Sequence, residues 1–471
     1  MSTEYDLVVI GGGSAGLTAV GFAVQLGARV ALVEKHRIGG DCTWTGCVPS
    51  KTLLKAAKVA HLMRTADRYG LAPVEQTVDL RPVMQHVRAV VAEVYRGESP
   101  KTLRQDGIDV YLGPPEFLDP HTLSVGETRL PGRHFLIATG AHPFLPPISG
   151  LEDVDYLTYE SVWDLERLPE RLVIVGAGPI GCEMAQAFGR LGSQVTVVAS
   201  RDRLLPRDDP DASAVLAEVF SNGGIDVLFR TRAERVWHDS DGIHVKAGSS
   251  ELVGDALLTA TGRRPNVDGL GLERAGVVYD AKGIQVDDNL RTSQPHIYAA
   301  GDCTGGPQFT HYAGWQAAVA VRNALLPGAS KGITGVVPWT TFTDPEVAHV
   351  GLTESQAREL LGDAVMTCQW PMERVDRART EGDTAGFLKL VHKRDGTLLG
   401  TTIVAGRAGE MIHEWIVALS RGLKVGELAQ DIHVYPTYST ASMQAAAAIR
   451  VTQLLSGTSG RVIRGLARLI R

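Results

Sequence analysis

The chain has 471 residues, 44% of them apolar, and a formal net charge of −6 at pH 7. That length predicts roughly three domains at about 150 residues each, with a core that needs no covalent staples. Five cysteines are too few for a disulfide-stapled secreted scaffold, and the charge balance gives no reason to expect a nucleic-acid partner.

The N-terminus, Met1-Ser2-Thr3-Glu4-Tyr5-Asp6, lacks a basic n-region. The apolar run after it is short and ends in glycines, so it reads as a strand and not as a secretory signal. No stretch reaches about 18 uninterrupted apolar residues, so no membrane span is expected. The expected location is cytoplasmic, where a persistent disulfide is more often catalytic than structural.

Residues 7–10 (Leu-Val-Val-Ile) form a short β-branched run ending at Gly11-Gly12-Gly13-Ser14-Ala15-Gly16. A helical pattern follows to Leu26, then a strand at residues 30–33 that ends in Glu34 and Lys35. Strand, GxGxxG, helix, strand and acid together make a dinucleotide fingerprint. Gly11 permits the tight turn, Gly13 lets a pyrophosphate approach the backbone, and Gly16 lets helix and strand pack closely. The helix N-terminus, at Ser14 and Ala15, offers amides and positive dipole to phosphates, and Glu34 is placed to accept from a ribose diol.

Next comes Gly39-Gly40-Asp41-Cys42-Thr43-Trp44-Thr45-Gly46-Cys47-Val48-Pro49-Ser50-Lys51. Two cysteines with four residues between them match no standard zinc or thioredoxin spacing. By spacing alone they read as a chance buried pair. Beside a dinucleotide site they read as a dithiol that stores two electrons as a disulfide.

The fingerprint recurs. Residues 172–175 (Leu-Val-Ile-Val) lead into Gly176-Ala177-Gly178-Pro179-Ile180-Gly181, a helix to about Leu191, and a strand at residues 195–198. This strand ends in Ala199-Ser200-Arg201-Asp202-Arg203, with Arg207 beyond, and no acid at its tip. Arginines in place of the acid suit a 2′-phosphate, hence NADPH over NADH, although NADH remains usable; the plainer reading is a solvated basic loop. Two dinucleotide sites and a thiol pair describe a relay from a nicotinamide through a flavin to a disulfide.

The chain resembles the class I pyridine nucleotide–disulfide oxidoreductases over about residues 4–445, a group that includes glutathione reductase, dihydrolipoamide dehydrogenase and mercuric reductase. Further segments fit in order: Ala138-Thr139-Gly140, Ala260-Thr261-Gly262-Arg263-Arg264-Pro265-Asn266, Tyr298-Ala299-Ala300-Gly301-Asp302, Phe342-Thr343-Asp344-Pro345-Glu346 and Gly409-Glu410-Met411-Ile412. The resemblance implies an α/β fold with two Rossmann-like domains and a C-terminal α+β dimerisation domain. FAD would occupy a discontinuous domain (residues 1–150 and 271–335), NAD(P)H an inserted one (151–270), and dimerisation would use 336–456, ahead of a tail at 457–471. It also implies that Cys42 meets the acceptor and that Cys47 is the charge-transfer thiol against the flavin. Lys51 would approach flavin N5 and pair with Glu183, and Asp302 would hold the ribityl chain. The nicotinamide would face Lys51, Glu183 and Ile180. The plainer reading of Lys51 and Glu183 is two separate surface charges.

The C-terminal segment departs from the disulfide reductases. Where they carry His-Pro-Thr and a later Glu, this chain reads Ile432-His433-Val434-Tyr435-Pro436-Thr437-Tyr438-Ser439-Thr440. Tyr435 stands at the His position and Thr440 at the Glu position. A phenol titrates near 10 and an imidazole near 6.5, so Tyr435 is the poorer proton carrier at neutral pH by about three to four units. His433 points the same way in an extended segment but lies about 6–7 Å off. A Tyr here resembles mercuric reductase, as do Asp376-Arg377-Ala378 and the Arg207-Asp208-Asp209-Pro210 segment. A soft metal ion displaces thiol protons by itself and needs no imidazole.

Two features of mercuric reductase are not expected here: an N-terminal metal-binding domain, because the FAD fingerprint begins at once, and a vicinal cysteine pair near the C-terminus. Cys182, Cys303 and Cys368 read as small buried hydrophobes, and no resident metal site is expected.

The expected protein is a homodimeric flavoenzyme whose acceptor is a small molecule or metal ion, foremost a soft metal ion or an unusual disulfide. Three alternatives stay open: a disulfide reductase of the dihydrolipoamide dehydrogenase type, a quinone or dye reductase, and a non-enzymatic redox sensor or scaffold.

The last residues alternate two faces. Val462, Ile463, Leu466, Leu469 and Ile470 lie on one, and Arg461, Arg464, Arg468 and Arg471 on the other. Such a basic amphipathic helix packs on its own dimer or docks to a membrane surface or partner.

Overall fold

The computed structural model describes residues 4–470. Its first sheet has seven strands. The apolar runs Tyr5–Ile10 and Val30–Glu34 pair in parallel, with Leu7 opposite Val30 and Ile10 opposite Val33. Asp109–Leu112 flanks them on one side and Thr128–Ile137 on the other, both parallel. Nearly every residue of the central strand is buried, as expected of a parallel strand covered on both faces. The helix Ser14–Gln25 covers one face and packs along Thr310–Leu325. After the second fingerprint the chain returns: Ile297–Ala299 pairs with Thr128–Ile137 and completes this sheet. Distant segments thereby converge beside one helix N-terminus.

The second sheet is parallel and four-stranded, ordered Ile225–Leu228, Gln194–Val198, Arg171–Val175 and Ala256–Thr259. Helix Pro179–Leu191 packs on it, with Phe188 and Leu191 buried. In both units the last fingerprint glycine is enforced by close approach. A Cβ on Gly16 would run into the carbonyl of Gly11, and one on Gly181 into that of Gly176.

The third sheet is antiparallel and five-stranded: Trp339–Thr341, Glu346–Gly351, Leu398–Ala405, Phe387–Lys393 and Val365–Pro371. Helices Ala408–Arg421 and Thr440–Leu455 cover it. The fully buried Trp415 of the first donates from its indole to Ser442 of the second at 3.0 Å. The last helix, Gly457–Leu469, follows the amphipathic pattern, and Val462, Leu466 and Leu469 are exposed on the single chain. Among the described residues no helix is long and apolar enough to cross a membrane.

Candidate functional site

Cys42 lies in the short helix Gly40–Trp44, and Cys47 opens the long helix Cys47–Arg64. Both side chains are half-buried. A thiol at a helix N-terminus faces unpaired amides, which favours its thiolate. A second helix N-terminus serves the same sulfur, because Thr310, the first residue of Thr310–Leu325, places Oγ1 3.3 Å from Cys47 Sγ. The Cys47 thiol is held below its ordinary pKa, chiefly by the hydrogen bond from Cys42, with help from Thr310 and Lys51 and against burial. Cys42 moves the other way, because its proton is the one shared between the sulfurs. The pair is thus polarised, with Cys47 as the anionic member.

Lys51 stands one turn beyond Cys47. Its Nζ is 2.9 Å from Oε2 and 3.1 Å from Oε1 of Glu183, which is buried on helix Pro179–Leu191. The ammonium also lies 4.5 Å from the ring centroid of Phe342, whose backbone amide donates to Glu183 Oε1 at 2.9 Å. The two are therefore an ion pair and not separate surface charges. Gln186 and Arg190, on the same face of the helix as Glu183, extend this joint. Gln186 exchanges hydrogen bonds with the Asp344 backbone at 2.7 and 2.9 Å, and Arg190 lies 2.8 Å from the Asp344 carboxylate. Lys58 of the cysteine helix reaches the same carboxylate at 2.8 Å. Residues 342–344, the cysteine helix and the second fingerprint helix are thus bound into one unit.

At the first fingerprint, Glu34 accepts from the amides of Gly12 and His36 at 2.7 and 2.8 Å, which fixes its carboxylate at the strand tip. Lys35 is exposed. Gly40 closes over Gly13: the Cβ position of Gly13 lies 3.7 Å from Gly40 Cα. Thr139 and Gly140 are stitched to Asn266, whose side chain donates to the Thr139 carbonyl at 2.9 Å and whose amide donates to Gly140. Gly262 accepts from the Phe144 amide at 2.9 Å. Arg263 is paired with Asp302 at 2.7 Å and with Asp41. Burial pushes the Asp302 carboxyl up, and Arg263 opposes that shift.

At the second fingerprint, no heavy atom lies within 4 Å of the Cβ position of Gly178, just ahead of Pro179, Ile180 and Gly181. Gly176 starts the turn there as Gly11 does in the first unit. Ser200, Arg201 and Arg207 are all exposed beyond the strand tip. Arg230, which no sequence motif marks, comes from the neighbouring strand end, and its amide donates to the Arg201 carbonyl at 2.8 Å.

A helix N-terminus behind a glycine turn, with open space at Gly178 and an acid at the ribose position only in the first unit, suits two different dinucleotides. The first site would hold FAD through Gly11–Gly16, Glu34, Arg263 and Asp302. The second would hold NAD(P)H through Gly176–Gly181 and the arginines beyond.

The C-terminal segment is resolved by its contacts. His433 is turned inward, with Nε2 3.0 Å from Glu414 and Nδ1 3.2 Å from the Asp431 carbonyl. Tyr435 is 67% exposed and donates to Asp376 at 2.8 Å. That hydrogen bond holds the phenol above its ordinary pKa. Thr440 is buried. Cys182 and Cys303 are buried, and Cys368 is partly so. Among the described residues no group of three or more His, Cys, Asp or Glu side chains is arranged to hold a metal ion.

Residues 5–317 match the pyridine nucleotide-disulphide oxidoreductase family, and residues 337–446 match its dimerisation domain. The chain belongs to this family. It is 38% identical to a mercuric reductase of Bacillus cereus over 92% of this chain and 70% of that protein. It is 36% identical to a dihydrolipoyl dehydrogenase of Thermus scotoductus over 94% of this chain and 97% of that one. Among solved structures it is similar to the Cu(II) complex of the HOCl-induced flavoprotein disulfide reductase RclA from Escherichia coli. That match has a TM-score of 0.84 and 30% identity, over 95% of this chain and all of RclA. The protein is therefore an FAD-dependent enzyme of the pyridine nucleotide–disulfide oxidoreductase family, and the dimerisation domain supports a homodimer.

Proposed function

We propose that this enzyme uses NADPH to reduce a soft metal ion presented to Cys42 and Cys47. The observation that supports this acceptor is the state of the C-terminal segment. Its one imidazole is occupied on both ring nitrogens, and the residue at the proton-carrier position is a phenol held protonated by Asp376. Reducing an organic disulfide requires delivering protons to the released thiolates, which a group with a pKa near the working pH does best. A thiophilic metal ion has no such need, since it binds thiolates directly and sheds their protons to solvent.

FAD, when bound, supplies the two-electron chemistry that links NADPH to the Cys42–Cys47 disulfide. The chain's own groups do the rest. Lys51 and Glu183 lock the two dinucleotide units in register at the cysteine helix. Thr310 and Lys51 stabilise charge on Cys47, which leaves Cys42 as the protonated member that meets the acceptor. Arg201, Arg207 and Arg230 favour the 2′-phosphate of NADPH. We further propose that Tyr435 approaches the dithiol of the partner subunit, as a phenol donor.

The test is anaerobic reduction of the purified protein with NADPH, followed by stopped-flow re-oxidation. The acceptors are Hg(II), Cu(II), glutathione disulfide, lipoamide and a quinone. Rapid re-oxidation by a metal ion that is lost in Cys42→Ser is expected. Faster re-oxidation by either disulfide would overturn the acceptor assignment. Quinone turnover that survives Cys42→Ser while metal turnover is absent would replace it with a flavin-direct reductase.

A further inference from the structure

Arg263 brings one positive charge to two carboxylates. Its Nη1 lies 2.7 Å from Asp302, its Nη2 is paired with Asp41, and its Nε donates to the Tyr159 phenol at 3.2 Å. All three guanidinium nitrogens are engaged, in a side chain only 19% exposed. Tyr159 in turn donates to Asp41 at 3.3 Å.

Both acids stand beside the first turn of helix Ser14–Gln25. Asp41 follows Gly40, which packs on Gly13. Asp302 follows Gly301, whose Cβ position lies 3.7 Å from the Cβ of Ala15. The cluster therefore borders the helix N-terminus that the glycine fingerprint reserves for a diphosphate. It is net negative where a doubly negative group must settle, and its one cation is already shared.

The two acids are not equivalent. Asp302 is 11% exposed and has Arg263 as its ion-pair partner. Asp41 is 35% exposed and has Tyr159 as a second hydrogen-bond donor. Asp41 is the partner that can give up Arg263 and still be satisfied.

We propose that Asp41 is a built-in brake on FAD retention: its carboxylate competes with the cofactor's diphosphate for Arg263 and repels it. The proposal rests on FAD binding at the first fingerprint. A purely structural role makes the opposite prediction, because an Asp41 that merely orients Arg263 would tighten FAD binding.

The experiment follows FAD release from the full-length holoenzyme on dilution, by the rise in flavin fluorescence. Asp41→Asn keeps the size of the side chain and an acceptor for Tyr159 but removes the charge. Asp41→Ser removes both charge and reach, and it decides the matter if the first variant fails to fold. Release about tenfold slower than wild type is expected, as for the loss of one nearby like charge. High salt should narrow the gap, because screening weakens that repulsion. Unchanged or faster release in the folded variants overturns the proposal. A wild-type protein that neither carries nor takes up FAD overturns the cofactor placement itself, and the brake with it.

Discussion

The ammonium of Lys51 and the carboxylate of Glu183 meet at 2.9 Å across two helices that begin at different redox elements, one at Cys47 and one at the second dinucleotide fingerprint. Glu183 is the more buried partner and also takes the Phe342 amide. The pair joins the cysteine helix, the second unit and the connection between the first two strands of the third sheet.

Both charges act on Cys47, with opposite signs: Lys51 favours its thiolate and Glu183 disfavours it. Lys51→Met should therefore raise the pH at which Cys47 ionises, and Glu183→Gln should lower it, each by up to about one unit. The pH dependence of thiolate ultraviolet absorbance in the reduced protein measures both. Shifts in the same direction would show that the pair acts on Cys47 only through packing.

Lys389 is a buried cation, 5% exposed and surrounded by Asp209 at 3.0 Å, Asp211 at 2.8 Å and Glu354 at 2.9 Å. Asp209 is fully buried and also caps helix Pro210–Asn222. Lys389→Met strands that carboxylate, and the expected loss is about 3–5 kcal/mol. Thermal unfolding should fall by several degrees, and Asp209→Asn in the same chain should restore part of it. Additive losses would mean that the two side chains are energetically independent.

Asp208 gives a pH dependence with a definite sign. It is buried and accepts from the Trp339 indole at 2.7 Å, and burial pushes its carboxyl up to about 6, against that hydrogen bond. Between the ordinary carboxylate value near 4 and about 6, the folded protein holds a proton that the unfolded chain has released. Its contribution to stability therefore falls as pH rises through that window and levels off above it, by about 3 kcal/mol at most. Asp208→Asn should gain stability relative to wild type between about pH 4 and about pH 6 in urea unfolding. A constant difference across that range would remove Asp208 as the source.

Tyr435 tests the acceptor from the other side. Tyr435→His should raise glutathione disulfide or lipoamide turnover by about tenfold or more, since it supplies a group with a pKa near the working pH. Tyr435→Phe should leave reduction of the protein by NADPH and its re-oxidation by a metal ion unchanged, and slow only any re-oxidation by a disulfide. Both are read by stopped-flow absorbance of the flavin. A Tyr435→His protein with no gain on any disulfide would place the limit elsewhere than in proton delivery.

Much of the fold is legible in the chain because its signals are local. Each fingerprint is a strand, a glycine turn and a helix in one continuous stretch, and the steric demands on Gly16 and Gly181 are met within the same unit. Lys51 and Glu183 are matched by resemblance, and the helices that carry them hold them in contact. Thr310, Tyr159, Arg230 and Glu414 carry no such local mark. Each is an ordinary residue in a helix, loop or strand end. Each meets its partner only because distant segments pack together, Thr310 through its helix's packing on Ser14–Gln25.

Local patterns in the sequence marked two dinucleotide units, and the family resemblance marked a candidate redox role for the thiol pair between them and a phenol where the disulfide reductases carry an imidazole. Contacts between remote segments, which no short-range pattern encodes, settled the rest. Packing turned His433 onto Glu414 and left Tyr435 outward on Asp376. It aimed a second helix N-terminus at Cys47. It also set Asp41 and Asp302 on opposite sides of one arginine, because the first sheet is completed by a strand from the far side of the second unit.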